Sequence, residues 1–330
     1  PNAKFFSTSI FISNNGKTYT KGEKKMIYTI TLNPALDYTI SLKKLIQNKI
    51  NTSTSECIIP GGKGINVSII LKRLGIDSVV LGFISGFTGE EIKRLVENEK
   101  IRTDFIKMKT GNSRINVKIL EKSSETAINS YGPSVDNKSI EELFQKLEKI
   151  KKDDILVLSG STPKGINENI YEKICENVKD KNVKIVVDST KDLLVNTLKY
   201  NPFLIKPNHH ELGEIFNVQI TNKNQAIEYA KRLQQKGARN VLVSMGSEGS
   251  VLLDENGEEY KGNVIQNKNV INTVGAGDSM VAGFLAGYLK FEDYEKALNL
   301  GISAATATVN NVYLGTKDEI VEYFDKFLAK

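Results

Sequence analysis

Short apolar segments alternate with segments of helical periodicity along most of the chain, and this alternation constrains the fold more than any other feature. Several apolar segments carry hydrophobic side chains at consecutive positions, as expected for strands buried on both faces of a parallel sheet. The predicted strands are 27–32, 78–83, 155–158, 183–187, 203–205 and 241–243, and the predicted helices between them include 90–98, 140–150, 169–178 and 225–235. The pattern predicts an α/β fold with a doubly wound sheet and right-handed crossovers.

Two segments, 36–59 and 104–131, interrupt this alternation. They are rich in Thr, Ser, Ile and Val, their polar positions alternate, and neither contains a crossover helix. Half-buried alternating strands are typical of a small antiparallel sheet with one face open to solvent. We therefore expect the two segments to pair as a lid on the α/β body. An exposed apolar face of that lid would be a natural dimer surface.

The charge of the chain is concentrated at one end and does not indicate a basic binding surface. Residues 1–25 contain five of the 45 basic residues and one of the 39 acidic residues, so the rest of the chain carries a net charge of only +2. That balance favours solvated lysines over a nucleic-acid or membrane partner. Residues 1–25 also lack the apolar stretch of a secretory signal, and we interpret them as an extension outside a fold that covers 26–330.

Membrane and disulfide-rich secreted classes are disfavoured by the same sequence. No apolar run approaches the roughly 18 residues that span a bilayer. Cys57 and Cys175 are too few for a disulfide framework or a four-ligand zinc site, and we expect both to be small buried hydrophobes. His209 and His210 lack partners at metal-binding spacing, so we expect structural or exposed roles for them. A cytoplasmic protein fits these observations best.

The strongest local signal for chemistry is the glycine-rich segment 272–279, which leads into a helix predicted over 275–290. The backbone N–H groups of its small residues and the helix N-terminus favour the binding of phosphate oxygens. Asp278 in the first helical turn would face the same cavity, where an acid can take the proton of an alcohol during phosphoryl transfer. The alternative is that Asp278 only stabilises the helix dipole.

A second glycine cluster, Pro-Gly-Gly-Lys-Gly-Ile-Asn at 60–66, precedes another helical stretch. It differs from a P-loop, because its lysine is not followed by Ser or Thr and the first glycine of the motif is missing. The chain also contains no G-x-G-x-x-G, which disfavours a dinucleotide site. Gly61 and Gly62 would instead permit the close approach of a polyhydroxylated ligand, with Lys63 and Asn66 as donors. A tight turn into a helix is the alternative.

Further polar residues follow predicted strands, at the edge where ligands bind in open α/β sheets. Asp37 would accept hydrogen bonds from sugar hydroxyls, and Arg114 would clamp a phosphate. Ser159 follows another buried strand, and Glu211 with Asn208 would organise a hydrated Mg²⁺. Each cluster alone is more typical of ordinary loop chemistry, whereas five of them at strand ends indicate one site.

Together these motifs resemble a known family. The segments 61–66 and 272–278 are similar to the two signatures of the PfkB, or ribokinase-like, carbohydrate kinases, and 33–37 and 206–208 resemble its hexose-phosphate branch. The resemblance covers essentially 26–330. It implies a ribokinase-like three-layer α/β/α fold with a doubly wound sheet and a small β-sheet lid, a requirement for ATP and Mg²⁺, and homodimers that pair through the lid.

The resemblance also implies roles for individual residues. Asp278 is the expected general base on the sugar hydroxyl. The backbone amides of three residues are the expected anion hole, namely Gly275, Ala276 and Gly277. The residues expected to hold the sugar phosphate are Asp37, Gly61, Gly62, Lys63, Asn66, Arg114 and Ser159. Those expected to line the ATP site are Lys206, Ser244, Gly246, Gly249, Gly277 and Asn310, while Asn208 and Glu211 are expected to influence Mg²⁺ indirectly, through water.

Within that branch the resemblance implies phosphorylation of fructose 1-phosphate to fructose 1,6-bisphosphate. Lys63 favours a phosphorylated substrate, because a second cation near the entrance balances the phosphate charge. Phosphorylation of tagatose 6-phosphate is the nearest alternative, since a furanose with phosphate at C1 or C6 is pseudo-symmetric. An alternative of another class is a non-catalytic sugar-phosphate sensor, which an intact Asp278 disfavours.

Overall fold

A mostly parallel sheet forms the middle layer of the structure, a computed structural model that describes residues 25–122, 124–265 and 270–329. The strands are, in chain order, β1 (Ile27–Thr31), β2 (Ala35–Ser41), β3 (Ser55–Gly61), β4 (Ser78–Ser85), β5 (Arg102–Thr103), β6 (Ile106–Met108), β7 (Arg114–Leu120), β8 (Glu125–Asn129), β9 (Ile155–Ser159), β10 (Lys184–Asp188), β11 (Leu204–Ile205), β12 (Asn240–Ser244), β13 (Ser250–Leu253) and β14 (Glu259–Gly262). The helices are α1 (Lys63–Arg73), α2 (Gly86–Asn98), α3 (Asn137–Leu147), α4 (Ile170–Val178), α5 (Lys191–Val195), α6 (His209–Phe216), α7 (Lys223–Gln235), α8 (Ala276–Phe291), α9 (Tyr294–Val309) and α10 (Lys317–Leu328). Apart from Lys25, the predicted N-terminal extension lies outside the described residues.

Ten of the described strands form the main sheet, in the order β14-β13-β12-β11-β10-β9-β1-β4-β5, with β6 paired to the carboxyl half of β4. The strands from β12 to β5 are parallel, and all six predicted strands are confirmed. The edge strands β13 and β14 are antiparallel, and the apolar segments did not predict them. β4, the next strand of the main sheet along the chain after β1, pairs with one side of β1. β9 comes later in the chain and pairs with the other side of β1. The strand order therefore reverses beside β1, where open α/β sheets bind ligands.

Two hydrophobic clusters lie on opposite faces of the main sheet and explain why its strands are apolar at consecutive positions. In β9, Leu156 and Leu158 join the cluster that includes side chains of α3, α4, α6 and α7. Ile155 and Val157 join the cluster that includes side chains of α1, α2, α8 and α9. All four side chains are at most 1% exposed. The structure is therefore the expected three-layer α/β/α arrangement.

Four described strands form a second, smaller sheet in the order β3-β2-β7-β8, as expected for the lid. The outer pairs are antiparallel but β2 and β7 are parallel, so the expectation of a purely antiparallel lid is wrong. The reason is that β2 follows β1 and β7 follows β6, and both leave the main sheet at the same edge. In a second correction, β6 lies within 104–131 but pairs with β4 of the main sheet. Cys57 is exposed, which corrects the expectation of burial, because β3 projects from the body at the edge of the small sheet and Ser55–Ile58 are all exposed. Cys175 is buried.

The C-terminal helices α8 and α9 pack at backbone contact, because small residues face each other. A Cβ atom added at Gly283 would lie 2.5 Å from the carbonyl oxygen of Leu300, and one added at Gly287 would lie 2.6 Å from the Cα atom of Ala297. This packing holds α8 against α9 on one face of the sheet and fixes the direction of its N-terminus. Across the described ranges, no helix is both long and apolar enough to cross a membrane.

Candidate active site

The residues predicted to carry chemistry converge at the carboxyl edge of the main sheet, beside β1. Asp278 lies in the first turn of α8, Lys63 and Asn66 lie at the start of α1, and Lys206 directly follows β11. The strands β9, β10 and β11 end at this same edge, since they are parallel to β1. Two helix N-termini and several strand ends therefore surround one position, although the residues come from distant parts of the chain.

Asp278 is a buried carboxylate, 5% exposed, at the third residue of α8. The side-chain amide of Asn66 donates a hydrogen bond to its Oδ2 at 2.8 Å. The pKa of Asp278 is raised to about 6, mainly by burial and secondly by the nearby carboxylate of Asp188. The ammonium groups of Lys63 and Lys206 act in the opposite direction. A carboxylate with such a pKa can accept a proton near neutral pH, which is the property that a general base needs.

The glycine-rich turn before α8 has a backbone conformation and close contacts that favour glycine. Gly275 is the N-cap of α8 with a φ of 82°, in the left-handed region that favours glycine. A Cβ atom at Gly275 would lie 2.8 Å from Cδ2 of Leu314, and one at Gly277 would lie 3.1 Å from Nζ of Lys206. The first N–H groups of a helix have no intrahelical partner, and that of Ala276 is 3.4 Å from a carbonyl oxygen of the preceding turn. The turn therefore places the weakly engaged N–H of Ala276 next to Gly277, which lies close to the ammonium group of Lys206.

Sequence reasoning missed Asp188, the last residue of β10. Its side chain is 1% exposed, and its Oδ1 lies 3.2 Å from Nζ of Lys206 and 3.3 Å from Nζ of Lys63. Burial opposes the negative charge, but the two ammonium groups hold the pKa of Asp188 below its ordinary value. The available signal was an acid at the end of a buried strand, in register with Ser159 of the neighbouring strand β9.

Asp37, Gly61 and Arg114 meet where the lid joins the α/β body. A Cβ atom at Gly61 would collide with the carboxylate of Asp37, so this close approach requires glycine. Nδ2 of Asn116 donates to Oδ1 of Asp37 at 2.8 Å. Burial raises the pKa of Asp37, while the hydrogen bond from Asn116 acts against the rise. Arg114 donates from Nε to the backbone oxygen of Asn33 at 3.0 Å, which fixes its guanidinium beside Asp37.

Gly62 and Ser159 lie beside Lys63 at the base of the same site. Gly62 is the N-cap of α1 with a φ of 130°, and a Cβ atom there would lie 2.5 Å from Cγ2 of Thr31. The stem of Lys63 passes over Gly160, at 3.9 Å from the position of a Cβ atom. Ser159 is 1% exposed, and in the described chain its hydroxyl has no hydrogen-bond partner. A buried hydroxyl of this kind indicates a water or ligand partner.

Asn208 and Glu211 form a capping box at the N-terminus of α6. Oδ1 of Asn208 accepts from the backbone N–H of Glu211 at 2.8 Å, and Oε2 of Glu211 accepts from the backbone N–H of Asn208 at 2.8 Å. A carboxylate has about four acceptor positions, so the box leaves Glu211 able to bind water. Among the residues that the structure describes, no three His, Cys, Asp or Glu side chains could enclose a metal ion. Both side chains carry oxygen atoms, the type of ligand that Mg²⁺ prefers.

The other residues expected at the ATP site lie farther out. Ser244 ends β12 and forms a single parallel bridge with Asn208. Gly246 begins a short 3₁₀ turn and Gly249 follows it, with φ values of 56° and 89°. Asn310 caps the end of α9 and donates to a tyrosine hydroxyl of α10 at 2.7 Å, while its buried Oδ1 has no partner within the described ranges. Hydrogen bonds do not join these residues to Asp278.

A cavity of about 540 Å³ lies beside α6, next to the residues expected at the ATP site. Its lining includes His209, His210, Glu214, Met245 and Glu248. His210 is exposed, His209 is partly buried, and the centres of the two rings are 3.9 Å apart. The cavity is therefore an outer cleft, and the lining residues do not include the carboxylates and lysines described above.

Comparisons with known proteins show the family to which the chain is related. Residues 31–320 match the family model described as pfkB family carbohydrate kinase. The chain is 43% identical over 293 residues to a 1-phosphofructokinase of Bacillus subtilis, a match that covers 89% of this chain and 95% of that protein. It is 37% identical to a D-tagatose-1-phosphate kinase of Bacillus licheniformis, over 79% of this chain and 84% of that protein.

A solved structure extends the likeness to the fold. The phosphofructokinase-2 of Escherichia coli in complex with substrates and products matches with a TM-score of 0.87 at 25% identity, and the match covers 92% of this chain and 100% of that chain. The family model spans the α/β body, the lid and the glycine-rich segment before α8. The chain is therefore a member of the PfkB family of carbohydrate kinases.

Proposed function

We propose that this chain transfers the γ-phosphoryl group of ATP to the 6-hydroxyl of fructose 1-phosphate, giving fructose 1,6-bisphosphate and ADP. The observation that carries the proposal is the buried carboxylate of Asp278 beside the ammonium groups of Lys63 and Lys206 at the N-terminus of α8. A base, cations and weakly engaged backbone N–H groups in one place are what phosphoryl transfer to an alcohol needs. The relative named 1-phosphofructokinase supports the choice of sugar phosphate.

Asp278 accepts the proton of the 6-hydroxyl while the sugar oxygen attacks the γ-phosphorus. The new oxygen–phosphorus bond forms as the bond to the bridging oxygen of ADP breaks, and the proton stays on the carboxylate until solvent removes it. Asn66 holds Oδ2 of Asp278 in place through its amide. The amides of Gly275, Ala276 and Gly277 stabilise the charge of the transferring group, and Lys206 lies beside them. Most of the acceleration comes from positioning and charge stabilisation.

The sugar phosphate is held between the lid and the start of α1. Asp37 accepts hydrogen bonds from sugar hydroxyls, and Gly61 and Gly62 let the backbone approach the ring. Lys63 and Arg114 bind the phosphate that the substrate already carries. Asn66, with a buried Oδ1 that has no partner in the described residues, and Ser159, with a buried free hydroxyl, complete the set of sugar-binding residues.

The nucleotide lies on the other side of Asp278. The residues proposed to bind it are Lys206, Ser244, Gly246, Gly249, Gly277 and Asn310. Asn208 and Glu211 would hold a hydrated Mg²⁺ through water, because their side chains also cap α6. When bound, Mg²⁺ neutralises negative charge on the phosphate chain.

Phosphorylation of a tagatose phosphate is the second candidate, and the relative named D-tagatose-1-phosphate kinase favours considering it. Tagatose 1-phosphate differs from fructose 1-phosphate at one ring carbon, so the same base would act on the same 6-hydroxyl. Tagatose 6-phosphate would need the sugar to bind in the reverse direction. A non-catalytic sensor is disfavoured, since a binding protein gains nothing from a buried base with a raised pKa.

A coupled assay of ADP release with Mg²⁺-ATP tests the proposal. We would compare kcat/KM for fructose 1-phosphate, fructose 6-phosphate, tagatose 1-phosphate and tagatose 6-phosphate. A clear preference for fructose 1-phosphate is expected, and a preference for either tagatose phosphate would overturn the substrate while keeping the base and the anion hole. Tight binding of these sugar phosphates without ADP release would favour the sensor.

We also propose that two copies pair through the lid. The strand register places Ile58, Tyr38, Val117 and Ile128 in one row across the sheet, on the face opposite to Asp37. Ile58 is 48% exposed and Ile128 is 57% exposed. A row of apolar side chains with exposed members at both ends favours association with a second copy.

A further inference from the structure

We propose that Asp188 is a positioning residue for phosphoryl transfer, and that one oxygen of its carboxylate holds the ammonium groups of Lys63 from the sugar side and Lys206 from the nucleotide side. The inference rests on the proposed function and deepens it, because Asp188 has no part in the steps described above. It acts through the two lysines, at the end of β10.

The geometry makes the three side chains interdependent. Oδ1 of Asp188 is 3.3 Å from Nζ of Lys63 and 3.2 Å from Nζ of Lys206. Oδ2 is buried and has no hydrogen-bond partner in the part of the chain that the structure describes. A buried charge is tolerated when it is paired, so the two ammonium groups compensate the carboxylate. Removing the carboxylate would leave two cations facing each other.

The backbone of Asp188 is fixed by the sheet, which makes it a suitable anchor. Its carbonyl oxygen accepts from the N–H of Gly160 at 3.1 Å, and the N–H of Lys206 donates to the carbonyl oxygen of Val187 at 3.1 Å. Lys63 comes from a different element, the first residue of α1. Asp188 therefore joins the start of the sugar-binding helix to the lysine beside Gly277.

The electrostatic consequence reaches both substrates. Burial disfavours the charge of Lys63, but the carboxylates of Asp188, Asp278 and Glu211 keep its pKa above the ordinary value. Asp188 also contributes to the raised pKa of Asp278, which faces Lys63 and Lys206 as well. One carboxylate thus keeps a phosphate-binding lysine charged and keeps the base ready to take a proton.

A double-mutant cycle separates this role from a general effect on folding. We expect Asp188→Asn to lower kcat about 10²-fold in the otherwise unchanged protein, similar to the loss of one transition-state donor. In a Lys63→Met background the same change is expected to lower kcat at most about tenfold, because Asp188 has then already lost one of its two ammonium partners. Equal factors in the two backgrounds would overturn the proposal.

The pH profile of kcat/KM is the second readout. In Asp188→Asn, Asp278 loses a neighbouring negative charge, so its pKa falls and the acidic limb moves to lower pH. Lys63 loses a counter-charge, so its pKa also falls and activity is lost earlier as the pH rises. A profile with lower amplitude and unmoved limbs would contradict the positioning role.

Asp154→Asn is the matched control, because Asp154 is also a buried carboxylate, 5% exposed, at the opposite edge of the sheet. It accepts backbone N–H groups of Met26 and Lys151 at 2.9 and 2.8 Å. We expect this variant to have a lower Tm and an unmoved pH profile.

Asp188→Glu covers the case in which Asp188→Asn does not fold. It keeps the negative charge, but its side chain is longer by one methylene group, so both ammonium groups are displaced. We expect unmoved pH limbs and a loss of about tenfold in kcat, and full activity in this variant would overturn the inference. Failure of the unchanged protein with all four sugar phosphates would instead refute the proposed function, so the two failures are distinguishable.

Discussion

At the scale of single residues, Asp278 lies at the start of a helix, in an environment that disfavours its negative charge. It is buried at the start of α8 and lies near a second buried carboxylate, Asp188, and both features raise its pKa to about 6. The folded protein maintains this arrangement through Asn66 and the two nearby lysines. Perturbed carboxyl groups of this kind are common at catalytic sites, where activity and stability conflict.

Replacement of Asp278 by Asn is expected to separate activity from stability. Without the base, kcat should fall by about 10²- to 10⁴-fold, measured by ADP release with saturating sugar phosphate and ATP. The amide oxygen of Asn can still accept the hydrogen bond from Asn66, so we expect the circular dichroism spectrum to be unchanged. Turnover close to that of the unchanged protein would contradict the assignment of the base.

The same variant has a predicted effect on the pH dependence of stability. An unfolded Asp ionises around its ordinary pKa of 3.8, whereas Asp278 in the folded protein ionises at about 6. The folded state therefore binds more protons between these values, and its stability falls as the pH rises through that window. Above pH 6, Asp278→Asn should raise the free energy of unfolding by on the order of 1 kcal/mol. Denaturant titrations that show the same gain at pH 4 would contradict this explanation.

The residues that sequence reasoning found differ in kind from the one that it missed. Gly275, Asp278 and Lys63 stand in local motifs, where a glycine pattern beside a helix indicates anion binding. Asp188 has no such motif, because an acid after an apolar strand is typical of many loops. Its meaning depends on Lys63, which is 125 positions away in the sequence and 3.3 Å away in the structure. That contact is a product of tertiary packing.

At the scale of elements, the N-terminus of α8 depends on the backbone conformation of a single glycine. Gly275 has a φ of 82° and packs against Leu314. Gly257, in the turn between β13 and β14, has a similar φ of 86° but no atom within 4 Å of an added Cβ atom. The two glycines therefore have similar left-handed backbone conformations in very different surroundings.

Substitution of each glycine by Ala tests the role of the turn. Both variants should lose about 1–2 kcal/mol of unfolding free energy, because a non-glycine residue is strained in the left-handed region. Gly275→Ala should also lower kcat by about tenfold or more. The added Cβ atom forces the turn away from Leu314, and this shift displaces the backbone N–H groups of the turn. Gly257→Ala should keep the kcat of the unchanged protein. Equal activity in the two variants, measured at a temperature where both are folded, would exclude a special role for the turn.

Element prediction succeeded where burial determines the sequence pattern and was wrong where it does not. The apolar run 155–158 is buried on both faces and predicts β9 correctly. In contrast, β2 and β7 of the lid are half-buried, and their alternation is compatible with either strand direction. The direction depends on which edge of the main sheet each strand leaves, which is a property of the assembled fold.

At the scale of the whole molecule, the two faces of the lid carry different kinds of side chain. One face carries Asp37 and Asn116, which are hydrogen-bonded to each other and lie where the sugar is proposed to bind. The other face carries the apolar row that includes Ile58 and Ile128. Because both faces belong to one four-stranded sheet, we expect a change of packing on the outer face to displace the face proposed to bind the sugar as well.

A charge in the apolar row is therefore expected to affect both assembly and catalysis. In light scattering the unchanged protein should have about twice the chain mass of 36.6 kDa, and Ile128→Lys should reduce it toward the single-chain value. The matched control is Ala127→Lys, on the same strand but opposite Lys118, on the other face of the sheet; it should remain dimeric. The monomeric variant should show a larger rise in KM for the sugar phosphate than for ATP, since Asp37 lies on the lid and Lys206 on the body. A single-chain mass for the unchanged protein at working concentration would refute the dimer.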